Sequence, residues 1–284
     1  MDALPGQSRM QGFDQADEPG EVIVTLPALT NWDSTRQGLH RAAQVAAAIR
    51  KPMQPPLPNF AHLGLSVTRD GLESGRLPNG ANVALNFRAG RLVFQAGPSG
   101  GWELPLAGYS QRTLAEAAQQ ALAESGSPIQ IDLNSVPDTN PLDIDAGLAS
   151  DYAGAVFSIY TAIARVRARF LGAMSPMIVF PHGFDLSSLW FARGSEERSD
   201  PHLNIGFSPG SAGLPRPYVY LYTHPIPPGW FDIRLPEAAR WWREGWQGVI
   251  LDYDALAAVE DHEALLEHTL REVAEQSAAL LAAV

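Results

Sequence analysis

The sequence repeats one order of elements twice, and this repetition limits the fold more than any other feature. A helix, a proline-interrupted connector, a group of strands and a second helix occupy residues 23–132, and the same order returns in residues 149–284. His62 in NFAHLGLSV then falls opposite His182 in VFPHGFDLS. Short strands joined by turns and flanked by helices are typical of antiparallel sheets that helices cover. The sequence therefore predicts an α+β protein made of two tandem pseudo-repeats, each of helix, antiparallel strands and helix. The two repeats can form one fused domain or two separate domains.

Local patterns place the elements of the first repeat. NWDSTRQGLHRAAQVAAAIRK has apolar residues at helical spacing and stops before Pro52. FAHLGLSVT predicts a strand that carries His62, and NVALNFRAGRLVFQAG predicts a hairpin that turns at Ala89 and Gly90. WELPL predicts another strand, QRTLAEAAQQALAESG a helix that ends at Gly126, and PIQIDL a closing strand.

The second repeat follows a stretch rich in proline and aspartate, residues 133–148, which we interpret as a linker. DYAGAVFSIYTAIARVRARFLGAM predicts a long helix and DHEALLEHTLREVAEQSAALLAAV a final amphipathic one. The strands between them are predicted in SPMIVFPHGFDLSSLWF, HLNIGF, YVYLYTH and WQGVILDY. Residues 1–22 have neither a basic start nor an apolar segment, so we expect a disordered lead-in and not a secretory signal.

Composition narrows the classes of function. A chain of 284 residues with 45% hydrophobic content can bury the core of one large domain or two moderate ones. The net charge is -11 and no run of Lys or Arg occurs, so we expect no nucleic-acid partner. The absence of cysteine removes thiol nucleophiles, disulfides and cysteine-ligated metals. No apolar run is long enough for a bilayer, so we expect a cytoplasmic protein without a membrane partner; the sequence leaves its oligomeric state open.

The strand YVYLYTH places Tyr218, Tyr220, Tyr222 and His224 on one face, because side chains on a strand alternate. The aliphatic residues of the other face suit a core. The aromatic row either lines a cleft for a small-molecule ligand or forms an ordinary cross-strand ladder, and both interpretations stay open. The nearby tryptophans of ARWWREGW likewise suit a ligand or partner surface, or else anchor the core.

Polar residues among apolar ones form a second group of candidates. His182 and Asp185 are three positions apart, so on a regular strand they point to opposite faces unless Gly183 bends the chain. Asp185 has apolar neighbours and needs a partner or a shifted pKa. His202 and Asn204 are two apart and share a face, either as a ligand-binding pair or as ordinary polarity at a strand edge.

A further set of residues stands at specific spacings between about Leu26 and the C-terminus. The set comprises Trp32, Thr35, His40, Gln44, His62, Gly71, Leu72, Val136, Pro137, Asp138, Phe170, Gly172, Ser175, Pro176, Phe184, Asp185, Leu186, His202, Gly206, Phe207, Pro209 and Gly210. In these residues the chain resembles domain-of-unknown-function family 5996, which consists of uncharacterised bacterial proteins. The resemblance implies a shared fold and no particular chemistry.

The chain departs from the family pattern at two places. It has Pro181, His182 and Gly183 where the family has Trp-Gly-Ser, and it has His224 where the family has other residues. These departures argue against His182 and His224 as family-wide functional residues.

Two functions of different classes follow. The first is an acid–base enzyme or a protein that binds a divalent transition metal through a His/Asp site at the junction of the repeats. The second is a non-enzymatic module that binds a small molecule or a protein in a Tyr/Trp-lined cleft. The candidate catalytic residues are His40, His62, Asp185 and His202; the candidate metal ligands are His62, His202 and Asp185; the candidate ligand-binding residues are Trp32, Gln44, Tyr218, Tyr220, Tyr222 and His224. A purely structural role for all of them is the third alternative.

Overall fold

The structure, a computed structural model, describes residues 25–96 and 100–283. The expected lead-in at 1–22 lies outside these ranges. The helices are α1 (Asp33–Arg50), α2 (Gln111–Glu124), α3 (Ala146–Arg167), α4 (Tyr253–Ala257) and α5 (His262–Ala282). The strands are β1 (Ser66–Thr68), β2 (Gly71–Glu73), β3 (Asn82–Asn86), β4 (Arg91–Gln95), β5 (Gly101–Pro105), β6 (Ile178–Phe180), β7 (Asp185–Phe191), β8 (His202–Ser208), β9 (Tyr218–His224), β10 (Arg240–Trp242) and β11 (Gly248–Asp252).

The strands form two antiparallel sheets, one in each half of the chain. The first sheet runs in chain order from β1 to β5, and the second has the order β10-β11-β9-β8-β7-β6. Leu65 and Val179 exchange two backbone hydrogen bonds of 2.9 and 2.7 Å, which join the start of the first sheet to the edge of the second. The prediction of an α+β fold with two successive units is confirmed.

The helices cover one face of each sheet. Helix α1 packs on β3 and α2, α3 packs on β1, β8 and α5, and α5 also packs on β8 and β9. Alternate residues of the strands, such as Val83 and Leu85 on β3 and Ile205 and Phe207 on β8, point into this common core. The opposite face of the second sheet carries the polar and aromatic residues, and the candidate site lies there.

None of the helices in the described part of the chain is both long and apolar enough to cross a membrane.

One predicted strand is only partly a strand, and another is not a strand. In FAHLGLSVT the residues up to Leu63 belong to the 3-10 segment Pro58–Leu63, in which Asn59 and Phe60 adopt left-handed backbone conformations. Strand pairing begins with the bridge from Leu65 to Val179 and continues in β1. PIQIDL is extended but pairs with no strand, since the N–H of Ile131 donates to the side chain of Gln119 at 2.8 Å. Alternating apolar residues indicated a strand in both places, but the backbone donors found other acceptors.

Candidate functional site

A cavity of about 1140 Å³ lies on the outer face of the second sheet. Strands β7, β8 and β9 form its floor, and the loops before β7 and β8 and the turn between β10 and β11 form its walls. The first unit contributes part of the rim through Asn59, Phe60 and Leu63 of the 3-10 segment. A space of this size accommodates a drug-sized organic molecule.

Tyr220 crosses the floor of the cavity from β9 to β7. Its hydroxyl donates to Asp185 Oδ2 at 2.7 Å and lies 3.1 Å from the carbonyl oxygen of Leu186. The ring passes over Gly206 of β8, where a Cβ would lie only 2.2 Å from the Cζ of Tyr220. The missing side chain at Gly206 is therefore what lets Tyr220 reach across the intervening strand to Asp185. Burial, reinforced by the charge of Asp185, raises the pKa of the Tyr220 phenol, so it stays protonated.

Asn204 fixes the direction of a second hydroxyl. Its Oδ1 accepts from the backbone N–H of Ser188 at 3.3 Å and from the hydroxyl of Ser187 at 3.1 Å. The amide orientation is thereby set, and Nδ2 donates to the Tyr222 hydroxyl at 2.8 Å. Because this oxygen accepts from Asn204, the proton of Tyr222 is free to be donated to a ligand in the cavity.

His202 lies in the next row of the same face. Its Nδ1 is 2.9 Å from the carbonyl oxygen of Asp200, a contact that requires Nδ1–H. The neutral ring consequently has Nε2 as an acceptor. Burial lowers the pKa of His202, with the nearby His224 acting in the same direction, so the imidazole is neutral at neutral pH. The cavity thus holds an oriented acceptor as well as an oriented donor.

The turn at 181–184 brings Asp185 into the cavity. Phe184, which ends this turn, has φ 58° and is 1% exposed. A left-handed conformation is costly for an aromatic residue, so packing must hold it. His40 of α1 does so: its ring stacks on Phe184 with centroids 5.3 Å apart, and its Nε2 donates to the carbonyl oxygen of Pro181 at 2.7 Å. His40 therefore contacts both ends of the turn, at Pro181 and at Phe184.

The bend at this turn corrects one expectation. On a regular strand His182 and Asp185 would point to opposite faces, but His182 lies in the turn and both residues line the same cavity. Gly183 contributes as well, because a Cβ there would lie 2.5 Å from Asp185 Oδ1. This oxygen has no hydrogen-bond partner among the described residues, unlike Oδ2, which is bound to Tyr220.

The rim is tied together across the two units. Asn59 donates from Nδ2 to the carbonyl oxygen of Ser195 at 2.9 Å and accepts from the N–H of Glu197 at 2.9 Å. The guanidinium of Arg198 lies 5.2 Å from the centroid of the Phe60 ring. Burial raises the pKa of Glu197, and the neighbouring Glu196 raises it further.

Trp246, in the turn between β10 and β11, closes the aromatic side of the cavity. Its ring centroid lies 6.1 to 6.3 Å from those of Tyr218, Tyr220 and Tyr222. Gly248 makes room for this position, since a Cβ there would be 2.3 Å from the Trp246 ring. The tyrosine row is therefore neither bare surface nor part of the main core; it is the floor of a cavity with a tryptophan over it.

The cavity brings together six of the predicted site residues and leaves four outside. Asp185, His202, Tyr218, Tyr220, Tyr222 and His224 line it. Trp32, His40, Gln44 and His62 do not.

Each of these four residues has a structural contact instead, and that of His40 is with the turn at 181–184. Trp32 is buried against Tyr152 with ring centroids 5.0 Å apart. Gln44 accepts from Gln111 of α2 at 2.6 Å. His62 accepts the N–H of Leu57 on Nδ1 at 3.1 Å.

The metal-ligand set is not assembled as a compact group. Within residues 25–96 and 100–283, no three or more His, Cys, Asp or Glu side chains are grouped so that they could hold a metal ion. His202 and His224 face each other across β8 and β9 with ring centroids 5.4 Å apart, which gives at most two nitrogen ligands. A bound divalent metal stays a prediction.

Sequence reasoning missed the loop that walls the cavity. Glu197 and Arg198 of the stretch GSEERSD, and Glu244 beside Trp246, line the cavity but carry no periodic or motif signal. Their position depends on contacts with residues far along the chain. Trp246 belongs to a group that the sequence singled out, but its role as anchor or surface was left open.

Comparison with known proteins gives one match. No curated protein and no solved structure is similar to the chain at a significant level. A family model described as a family of unknown function, DUF5996, matches residues 25–282, which is nearly the whole chain. This protein is therefore a member of the DUF5996 family.

Proposed function

We propose that this protein binds a small organic molecule in the cavity on the outer face of the second sheet. The observation that carries the proposal is the tyrosine row of β9, which lines a cavity of about 1140 Å³ with its polar partners already oriented. Ligand sites are mostly apolar and aromatic, with a few fixed polar groups that orient the ligand. Tyr222 as donor, His202 as acceptor and Asp185 as carboxylate supply such groups.

The test is a thermal-shift screen of a panel of metabolites that covers amines, acids, sugars, phenols and nucleosides. Ala212 is exposed and lines the cavity, so Ala212→Trp blocks the space without disturbing the core. Ala107 is exposed and does not line the cavity, so Ala107→Trp is the matched control. We expect stabilising compounds that act on the wild type and on Ala107→Trp but not on Ala212→Trp. Equal responses in all three proteins would contradict the proposal.

An acid–base reaction in the same cavity is the second candidate. The anchored Nδ1–H of His202 and its lowered pKa favour it, because a general base must be neutral and must present a free nitrogen. Nitrogen-15 NMR of the histidine side chains tests this directly. We expect the Nδ1–H tautomer for His202 and a pKa below 6.5; an Nε2–H tautomer would remove His202 as the base.

The metal prediction has an independent test. Elemental mass spectrometry of untagged protein, purified without chelators or added metal, measures the metal content. A near-stoichiometric transition metal that is lost in both His202→Ala and His224→Ala would support a metal at this pair of imidazoles. A metal content that both variants retain would place it elsewhere.

A further inference from the structure

The charged groups of the cavity are strongly unbalanced. Asp185, Glu197 and Glu244 contribute three carboxylates, and Arg198 is the one guanidinium among the lining residues. Arg198 already lies against the ring of Phe60 at the rim. The whole chain has a net charge of -11, which adds to the negative potential at the mouth of the cavity.

His202, the buried imidazole of the cavity, does not offset this charge. His202 is neutral at neutral pH, because burial lowers its pKa. Burial raises the pKa of the Tyr220 and Tyr222 hydroxyls, so both side chains stay neutral, and their rings keep the electron-rich faces that attract cations. Trp246, the side chain best suited to such a contact, lies over the same row.

Asp185 is placed to meet a positive group. Tyr220 holds one carboxylate oxygen at 2.7 Å, which fixes the orientation of the side chain. The other oxygen lies beside Gly183, which has no side chain, and Asp185 lines the cavity at this point. A carboxylate that is fixed on one side and open on the other binds an ammonium or guanidinium group without having to reorganise.

We infer that the cavity selects an organic cation, an ammonium or guanidinium group on an aromatic or aliphatic body, with the charge at Asp185 and the body against Tyr222 and Trp246. This inference rests on the proposed ligand binding and narrows it to one chemical class. Anionic ligands such as carboxylates and phosphates are disfavoured, because they would face three carboxylates.

Three probes with the same phenol ring and different charge test the inference by calorimetric titration. They are tyramine, which is a cation, 4-ethylphenol, which is neutral, and 3-(4-hydroxyphenyl)propionate, which is an anion. We expect tyramine to bind about tenfold more tightly than 4-ethylphenol, and the anion to bind most weakly. Added salt should weaken the binding of tyramine and leave that of 4-ethylphenol unchanged.

Two variants separate the local carboxylate from the net charge. Asp185→Asn keeps an oxygen that can accept from Tyr220, and it should lower the affinity for tyramine about tenfold while 4-ethylphenol binds as before. Asp143→Asn changes the net charge equally at an exposed residue that does not line the cavity, and it should have no effect on either probe. Circular dichroism of both variants checks that they are folded.

The outcomes distinguish this inference from the proposed function. Equal affinities for tyramine and 4-ethylphenol, or no binding of tyramine although a neutral compound of the panel binds, overturn the selection of cations and leave ligand binding intact. Failure of all three probes and of the entire panel overturns both.

Discussion

Tyr220 joins three strands of the second sheet through a single side chain. It starts on β9, passes over Gly206 of β8 and ends at Asp185 on β7. The hydrogen bond to a carboxylate is of the stronger, charge-assisted kind. The phenol of Tyr220 is therefore the partner that Asp185, a carboxylate among apolar neighbours, was expected to need.

Removal of the Tyr220 hydroxyl should cost stability that removal of a neighbouring one does not. We expect Tyr220→Phe to lower the free energy of unfolding by about 1–2 kcal/mol, because Asp185 loses its donor. Tyr218→Phe is the control on the same face, since its hydroxyl bonds only to the exposed Ser211 and should cost about 0.5 kcal/mol or less. Urea denaturation of the three proteins measures the difference; equal losses would mean that the bond to Asp185 adds nothing.

His40 contacts the turn at 181–184 and does not line the cavity. We expect His40→Ala to destabilise the protein by about 2 kcal/mol, because the stack on Phe184 and the hydrogen bond to Pro181 are both lost. His40→Phe keeps the stack and loses only the hydrogen bond, so it should cost about half as much. Amide hydrogen exchange at residues 182–185 should increase from the wild type to His40→Phe and further to His40→Ala. An unchanged exchange rate in His40→Ala would contradict the positioning role.

Strand β8 depends on a residue that has no side chain. A Cβ at Gly206 would lie 2.2 Å from the carbonyl oxygen of Leu186 on β7 as well as from the ring of Tyr220. We expect Gly206→Ala to destabilise the protein by about 2 kcal/mol or more, because both a backbone and a ring would have to move. Thermal denaturation measures this loss of stability.

Gly154 in α3 provides the opposite case. Its added Cβ would meet only the end of the Arg88 side chain at an ordinary 3.6 Å. Gly154→Ala should therefore stabilise the protein by up to about 1 kcal/mol through helix propensity. If both alanine variants lost stability equally, the close approach at Gly206 would not be the reason.

The elements that the sequence predicted correctly are those with a local periodic signal. Helices α1, α2, α3 and α5 and the hairpin of β3 and β4 lie where the patterns indicated. The strand predicted over FAHLGLSVT was right for Ser66–Thr68 and wrong up to Leu63, where the backbone forms a 3-10 segment. The strand predicted over PIQIDL was wrong, because the N–H of Ile131 donates to a side chain, which alternation does not reveal. The start of α3 at Ala146, capped by Asp145, falls inside the stretch interpreted as a linker.

The sequence predicted the site residues that lie on one strand, and it did not predict those that contacts between distant parts of the chain bring to the cavity. Alternation correctly placed Tyr218, Tyr220 and Tyr222 on one face, and it paired His202 with Asn204. It could not place Glu197, which reaches the cavity because Asn59 of the other unit holds its loop. Nor could it reveal the bend at 181–184, which depends on packing between His40 and Phe184.

The two units share a pattern of elements, but the outer faces of their sheets differ. The outer face of the first sheet is partly exposed along β3, β4 and β5. The outer face of the second sheet forms the cavity, and the first unit supplies part of its rim and the helix that holds its turn. The cavity therefore needs both units, which favours one fused domain over two independent ones.

Stability should fall as the solution is acidified below pH 6.5, where an unfolded histidine begins to take up a proton. Burial lowers the pKa of His40, His202 and His262, so the unfolded chain binds these protons first and gains free energy relative to the folded one. Each histidine can contribute at most about 1.4 kcal/mol per pH unit. Glu197 has the opposite effect on stability, because its raised pKa lets the folded chain bind a proton before the unfolded chain does. This effect falls at a pH closer to the ordinary pKa of a carboxyl group.

His262 gives the clearest test of this pH dependence, because it lies between α3 and α5, outside the cavity. Its Nε2 is 2.9 Å from the hydroxyl oxygen of Ser158, and its buried Nδ1 has no hydrogen-bond partner among the residues that the structure describes. Urea denaturation at pH 7.5 and 5.5 should show a smaller loss of stability for His262→Gln than for the wild type. An identical loss would show that this histidine does not contribute.

A crystal structure with the most stabilising compound of the panel tests whether the cavity above β7, β8 and β9 is the binding site. We expect the compound over Tyr220 and Tyr222, beneath Trp246, with a polar group within hydrogen-bond distance of Asp185 or His202. A compound bound anywhere else, with this cavity empty, would contradict this expectation.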